Sequence, residues 1–155
     1  MANPKGSAWY DTDGVGQFGG DVAVQEITFT GDAGLGAVGA VPLFTVTGAV
    51  AVNLSAICKT IIATEAGATI SVGTAATVDG IIAVTTGVDI DAVDIWFAAA
   101  PATVLDTIAN AMLEFVIGDG ADIQANVLVD TINSGVIEFR CFWTPLTVGA
   151  TVVAA

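Results

Sequence analysis

From Asp21 onward the chain alternates apolar and polar residues with a period of two. Ile137, Phe139, Cys141 and Trp143 fall on one side of an extended strand, and Glu138 and Arg140 fall on the other. In the same way Ile123, Ala125, Val127 and Val129 oppose Gln124, Asn126 and Asp130, and the first set of each is assigned to the core. Similar runs, rich in Val, Ile, Thr and Phe and bounded by Gly, Asp or Asn, cover 22–30, 41–47, 50–58, 68–72, 81–86, 94–98, 114–117, 123–132 and 136–143. Many short strands with regular turn signals predict an all-β protein, a single antiparallel β-sandwich or jelly-roll-like domain. Asp79-Gly80 and Asn133-Ser134-Gly135 predict hairpins between the strands they separate, and Gly118-Asp119-Gly120 predicts a third. Helical spacing occurs at Pro101–Met112, where Val104, Leu105, Ile108 and Met112 share a face, so at most one or two short helices are expected.

Residues 1–21 follow neither period. Gly6, Gly14, Gly16, Gly19 and Gly20 are interspersed with Trp9, Tyr10 and Phe18. This reads as an extended N-terminal arm ahead of one domain at 22–155. Gly content alone would make it a disordered tail, whereas aromatics on a pliable backbone suit docking into pockets of a neighbouring surface. Trp9, Tyr10 and Phe18 are therefore the expected contacts to a partner or to a neighbouring subunit.

Composition changes the picture in one respect. Hydrophobic residues make up 54% of the chain beside 18 Gly, and only 12% of residues are charged, against about 25% in ordinary soluble domains. So few charges cannot cover a free-standing globule, and much of the surface is expected to meet other protein, the chain itself included, with a homotrimer as the expected assembly. The net charge of −13 repels nucleic acid and anionic lipid, so neither is an expected partner. The stretch Ala33–Cys58 carries no charge and is long enough to span a bilayer, but Gly34, Gly36, Gly39, Pro42, Gly48 and Asn53 interrupt it and its Thr and Val content favours strands. The N-terminus shows no apolar signal region, which predicts synthesis in the cytoplasm.

Candidate chemistry is sparse. The chain has no His, which removes the commonest general base and metal ligand. Cys58 and Cys141 each sit on the apolar side of a strand and read as buried free thiols, with a bond between two sheets as the alternative. Asp89, Asp91 and Asp94 form a D-x-D-x-x-D cluster that is a weak Ca²⁺ candidate, since it lacks the full ligand series and closing Glu of an EF-hand; solvated loop carboxylates are the simpler reading. Asp11-Thr12-Asp13-Gly14 is a similar fragment. The spacing of Gly34, Gly36 and Gly39 matches a dinucleotide fingerprint but runs into a strand at Val41–Phe44 instead of a helix. Ser7, Ser55, Ser71 and Ser134 have no His partner. No enzyme, cofactor or essential metal is expected.

The run Ala68-Thr69-Ile70-Ser71-Val72-Gly73-Thr74-Ala75, with Asp79-Gly80-Ile81-Ile82-Ala83, Asp94-Ile95-Trp96, Gly135-Val136-Ile137-Glu138-Phe139 and Trp143-Thr144-Pro145-Leu146, resembles small β-rich proteins encoded among the head genes of tailed bacteriophages. The likeness spans roughly residues 22–147. It implies a capsid decoration or minor virion component, often trimeric, on the outside of an icosahedral shell, with the major capsid protein as partner and no catalytic residues. The alternative is a carbohydrate-binding or adhesive β-sandwich of a fibre or spike, with Trp9, Tyr10 and Trp96 as sugar-stacking platforms.

Overall fold

The computed structural model describes residues 21–65, 67–97, 101 and 114–155. Among these residues the chain forms ten strands and one 3-10 turn, with no α-helix. The arm at 1–20 and all of the helical stretch 101–112 except Pro101 lie outside the described residues.

The strands are β1 (Asp21–Phe29), β2 (Gly39–Thr47), β3 (Val50–Thr64), β4 (Thr69–Gly73), β5 (Ile82–Thr86), β6 (Ile95–Trp96), β7 (Phe115–Ile117), β8 (Ile123–Leu128), β9 (Ile132–Pro145) and β10 (Thr151–Ala154). They build two five-stranded sheets. One runs β1-β9-β3-β6 with β7 also on β3, and the other runs β10-β2-β8-β4-β5. Every pairing is antiparallel. The pairings are nested: β1 with β9, β2 with β8, β3 with β6 and β7, and β4 with β5. A long antiparallel ribbon wound around itself gives this order, and the fold is a jelly-roll sandwich with β10 added beside β2.

Local chemistry explains several details. In β2 a register shift between Pro42 and Phe44 lets the consecutive residues Leu43 and Phe44 both turn inward. Pro42 sits at that bulge, where a sheet tolerates a residue with no N–H. At Gly73 an added Cβ would lie 2.0 Å from the Thr77 carbonyl oxygen, because the loop after β4 folds back over the strand. The inward residues of both sheets make one core, in which Trp96 meets Phe139 edge-on at 6.4 Å.

The expected faces of β9 hold: Ile137, Phe139, Cys141 and Trp143 are buried. Those of β8 hold only in part. Val129 is 76% exposed, because the strand ends at Leu128 and Val129, at φ 70, is the corner of a γ-turn closed by the Asp130 N–H to Leu128 carbonyl bond at 2.8 Å. Asn126, expected to face solvent, is buried under the loop following β4 and donates to the Val78 carbonyl at 2.9 Å.

Two of the three expected hairpins are corrected. Asn133-Ser134-Gly135 is not a turn but part of β9, paired with β1 and β3, and β8 lies in the opposite sheet. Gly135 (φ +123) is required there because the backbone of Ile62 passes within 2.9 Å of where a Cβ would stand. Gly118-Asp119-Gly120 likewise connects the two sheets, leading from β7 to β8. The hairpin of β4 and β5 forms, with a wider loop than Asp79-Gly80 alone.

Cys58 and Cys141 are buried and free. In the ladder of β3 and β9, Cys58 faces Ile137 and Leu54 faces Cys141. The two thiols therefore sit about four residues apart along the sheet, roughly 13 Å, too far for a disulfide.

Candidate interaction surface

The acidic cluster is organised by its own backbone. Asp94 is 2% exposed, and one of its oxygens, Oδ2, accepts the Asp91 N–H at 2.9 Å, while the Asp94 N–H donates to the Asp91 carbonyl at 3.1 Å. The turn so closed holds Val93 at φ 70 and is stitched to β3 through Val93 N–H to the Cys58 carbonyl and Cys58 N–H to the Asp94 carbonyl. Asp89 and Asp91 are exposed. Among the described residues no group of three or more His, Cys, Asp or Glu could hold a metal ion, so Asp89, Asp91 and Asp94 do not converge into a ligand set. Their nearest effect is on Cys58, whose thiol pKa is pushed up to about 11 by burial first and by Asp94 and Asp91 second.

Trp9, Tyr10 and Phe18 lie outside the described residues. Trp96 is fully buried and donates its Nε1–H to Thr85 Oγ1 at 2.9 Å, so it is a core residue and not a sugar platform.

Charge is distributed by sheet. In the β1-β9-β3 sheet the outward positions bring Glu26, Lys59, Glu138 and Arg140 together. Lys59 Nζ donates to Glu26 Oε2 at 2.9 Å and also contacts Glu138, and Arg140 Nε donates to Glu138 Oε1 at 2.6 Å. Lys59 and then Arg140 hold the Glu138 carboxyl below the usual range, and Glu138 and then Glu26 raise the Lys59 pKa. Lys59 and Arg140 are the cations of the described residues, so this face is internally neutralised.

The other sheet contains no charge at all. None of the residues of β2, β4, β5, β8 or β10 is Asp, Glu, Lys or Arg. Its outward side chains include Ala40, Pro42, Thr45, Thr47, Thr151 and Val153, all exposed, and the half-buried Gln124. The carboxylates stand outside the strands instead: Asp32, Glu65, Asp119, Asp122 and Asp130 lie in the connections, and Asp79 is in the loop that folds over Ser71 and Asn126. A charge-free centre with acids at the margin is the arrangement expected of a protein–protein contact, whose core is depleted of charge while its rim is polar. The sequence signals were present in the charge-free stretches 33–58, 67–78 and 123–129, but which strands share a sheet had to be known before they could be read together.

Where the two sheets part, a cleft of about 600 Å³ opens between the start of β1 and the loop and strand of β10. Asp21, Val22, Trp143, Pro145, Val148, Val152 and Val153 are among its walls, and Asp21 is its one charged residue. Compared with protein-family models, curated proteins and solved structures, the chain matches none.

Proposed function

We propose that this chain is a non-enzymatic structural protein of a virion, a decoration protein that binds the outer surface of a tailed-phage head and associates with copies of itself. The observation that carries this reading is the charge-free sheet of a chain at −13. Removing charge from one whole layer, while acids crowd its margin, leaves a surface that loses little by desolvation when another protein covers it. The acidic remainder repels packaged nucleic acid, which suits an outer position. The jelly roll agrees with the reading by analogy of fold alone, since such sandwiches serve in capsid and in lectin domains. The resemblance of residues 22–147 to phage head proteins points the same way.

The fibre or spike reading draws less support. Of its three stacking candidates Trp96 is sealed in the core, and no aromatic side chain stands on the outer face of the uncharged sheet. Immunogold electron microscopy of virions, with antibody raised against the purified protein, tests the proposal. Label on the head exterior is the expected result. Label confined to tail fibres, or glycan-array binding without head label, overturns it.

A further inference from the structure

We infer that the cleft between β1 and β10 is a docking site for the N-terminal arm of a second copy of this chain, taking the aromatic pair Trp9-Tyr10. The inference rests on the self-associating, lattice-forming role proposed above.

Three observations meet at this place. First, the cleft mixes the apolar walls Val22, Trp143, Val148 and Val152 with the hydroxyls of Thr147 and Thr151, has Asp21 as its one charged residue, and is flanked by two strands at sheet edges, β1 and β10. Val22, Val148 and Val153 stand exposed around it, Val148 completely. At about 600 Å³ it falls among sites that enclose an organic molecule, ~300–1,000 Å³, enough for an indole and a phenol ring. Second, the arm ends where the cleft begins. Asp21, the first residue of β1, lines it, so residues 1–20 of each copy are tethered at this rim. From Tyr10 to Asp21 an extended chain spans about 35 Å, more than twice the ~15 Å radius of gyration of a domain this size, so the aromatic pair can reach an adjacent copy.

Third, charge favours exchange between copies. Two bodies that are both strongly acidic repel on approach. Residues 1–10 contain Lys5 and no carboxylate, so the tip of the arm carries a net positive side-chain charge in a chain of −13. A tip bearing that charge, held out from its domain by the rest of the arm, can join two copies while their acidic surfaces stay apart. Trp and Tyr supply large apolar area with a polar tip that can remain wet at the cleft mouth.

The test is cysteine cross-linking between full-length chains, made possible by the burial of both native thiols. Tyr10→Cys and Val153→Cys variants, carrying different tags, are co-expressed, oxidised and resolved without reductant, with identity read by mass spectrometry. The expected result is a covalent dimer joining one variant to the other. Its yield should exceed that of Tyr10→Cys paired with Val84→Cys, at the opposite edge of the same sheet, on the order of tenfold, given the millimolar local concentration that docking imposes. A double variant Tyr10→Cys/Val153→Cys that closes only within one chain shows that each arm fills its own cleft and overturns the inference. Equal yields at Val153→Cys and Val84→Cys overturn it as well. Because the cross-link is read in free solution and the head location by immunogold labelling, either idea can fail without the other.

Discussion

Trp96 of β6 and Thr85 of β5 belong to different sheets, and the indole N–H of the first donates to the hydroxyl of the second at 2.9 Å in the middle of the core. Trp96 is fully buried and Thr85 is 2% exposed, so neither group has water as a substitute partner. The hydroxyl in turn donates to the Ala83 carbonyl at 3.1 Å. A tryptophan can be used in a dry core only where its polar atom is met, and this bond meets it.

Thr85→Val keeps the branched shape and removes the acceptor. The indole N–H is then left unpaired in the core, which costs about 1–3 kcal/mol. Urea unfolding followed by tryptophan fluorescence should show a lower midpoint with an unchanged slope. An unchanged midpoint would mean that the bond contributes nothing net.

Val129→Gly should act in the opposite direction. Val129 is a β-branched residue at φ 70 and is 76% exposed, so it bears backbone strain without packing in return. Releasing strain of about 1–2 kcal/mol, less the greater freedom of Gly in the unfolded chain, leaves a gain of roughly 0.5–1 kcal/mol. A raised thermal midpoint by calorimetry is the expected reading.

The jelly roll was legible in the alternation of β9 and in the turn chemistry around Asp79-Gly80, because both are local. The misreadings have a common cause. Asn133-Ser134-Gly135 has turn composition, yet Gly135 is there to let β3 pass close by, a demand set by Ile62 far away in the sequence. The true change of direction falls at Val129, a residue that no turn rule would choose. Asn126 looked solvent-facing because its partner, the Val78 carbonyl, arrives from a distant loop. The strand β10 is absent from the sequence-based expectation, which ends its last strand at Trp143, and the cleft that β10 borders is absent with it. Of the proposed contact surface, the aromatic arm could be picked out by composition, whereas the charge-free sheet could not be assembled before the strand order was known.

The ion cluster predicts an acid response. With its folded-state pKa held down by Lys59 and Arg140, Glu138 contributes stability that is present above the ordinary carboxylate range and is lost as pH falls through the depressed value. Glu138→Gln should therefore lower stability at pH 7 and converge toward the unmodified protein as pH drops below about 4. Lys59 gives the mirror image: its raised pKa means a contribution present below about 10.4 and lost as pH rises beyond it. Denaturant midpoints across the pH range, compared between the two proteins, measure both. A constant gap at every pH would contradict the assignment.

The thiols provide a probe of opening. Burial pushes Cys141 up to about 12 and, with help from Asp94 and Asp91, Cys58 up to about 11, so both are protonated and shielded at pH 8. Ellman's reagent should find neither thiol in the native protein and both in denaturant. Rapid modification of the native chain would show that the two sheets part more readily than their packing suggests.

The nested order of the strands also sets the timing of assembly. Asp21 pairs with Trp143 and Phe29 with Gly135, so the first strand waits unpartnered until the ninth has left the ribosome. Contacts so distant along the chain are slow to form, on the order of milliseconds to seconds for all-β folds. During synthesis β1 keeps an open edge and uncovered apolar residues, a state inclined to pair with whatever strand it meets. Crowded polysomes should thus be the hazardous stage for this protein, and lowering its translation load should raise the yield of correctly closed subunits more than any change made after release.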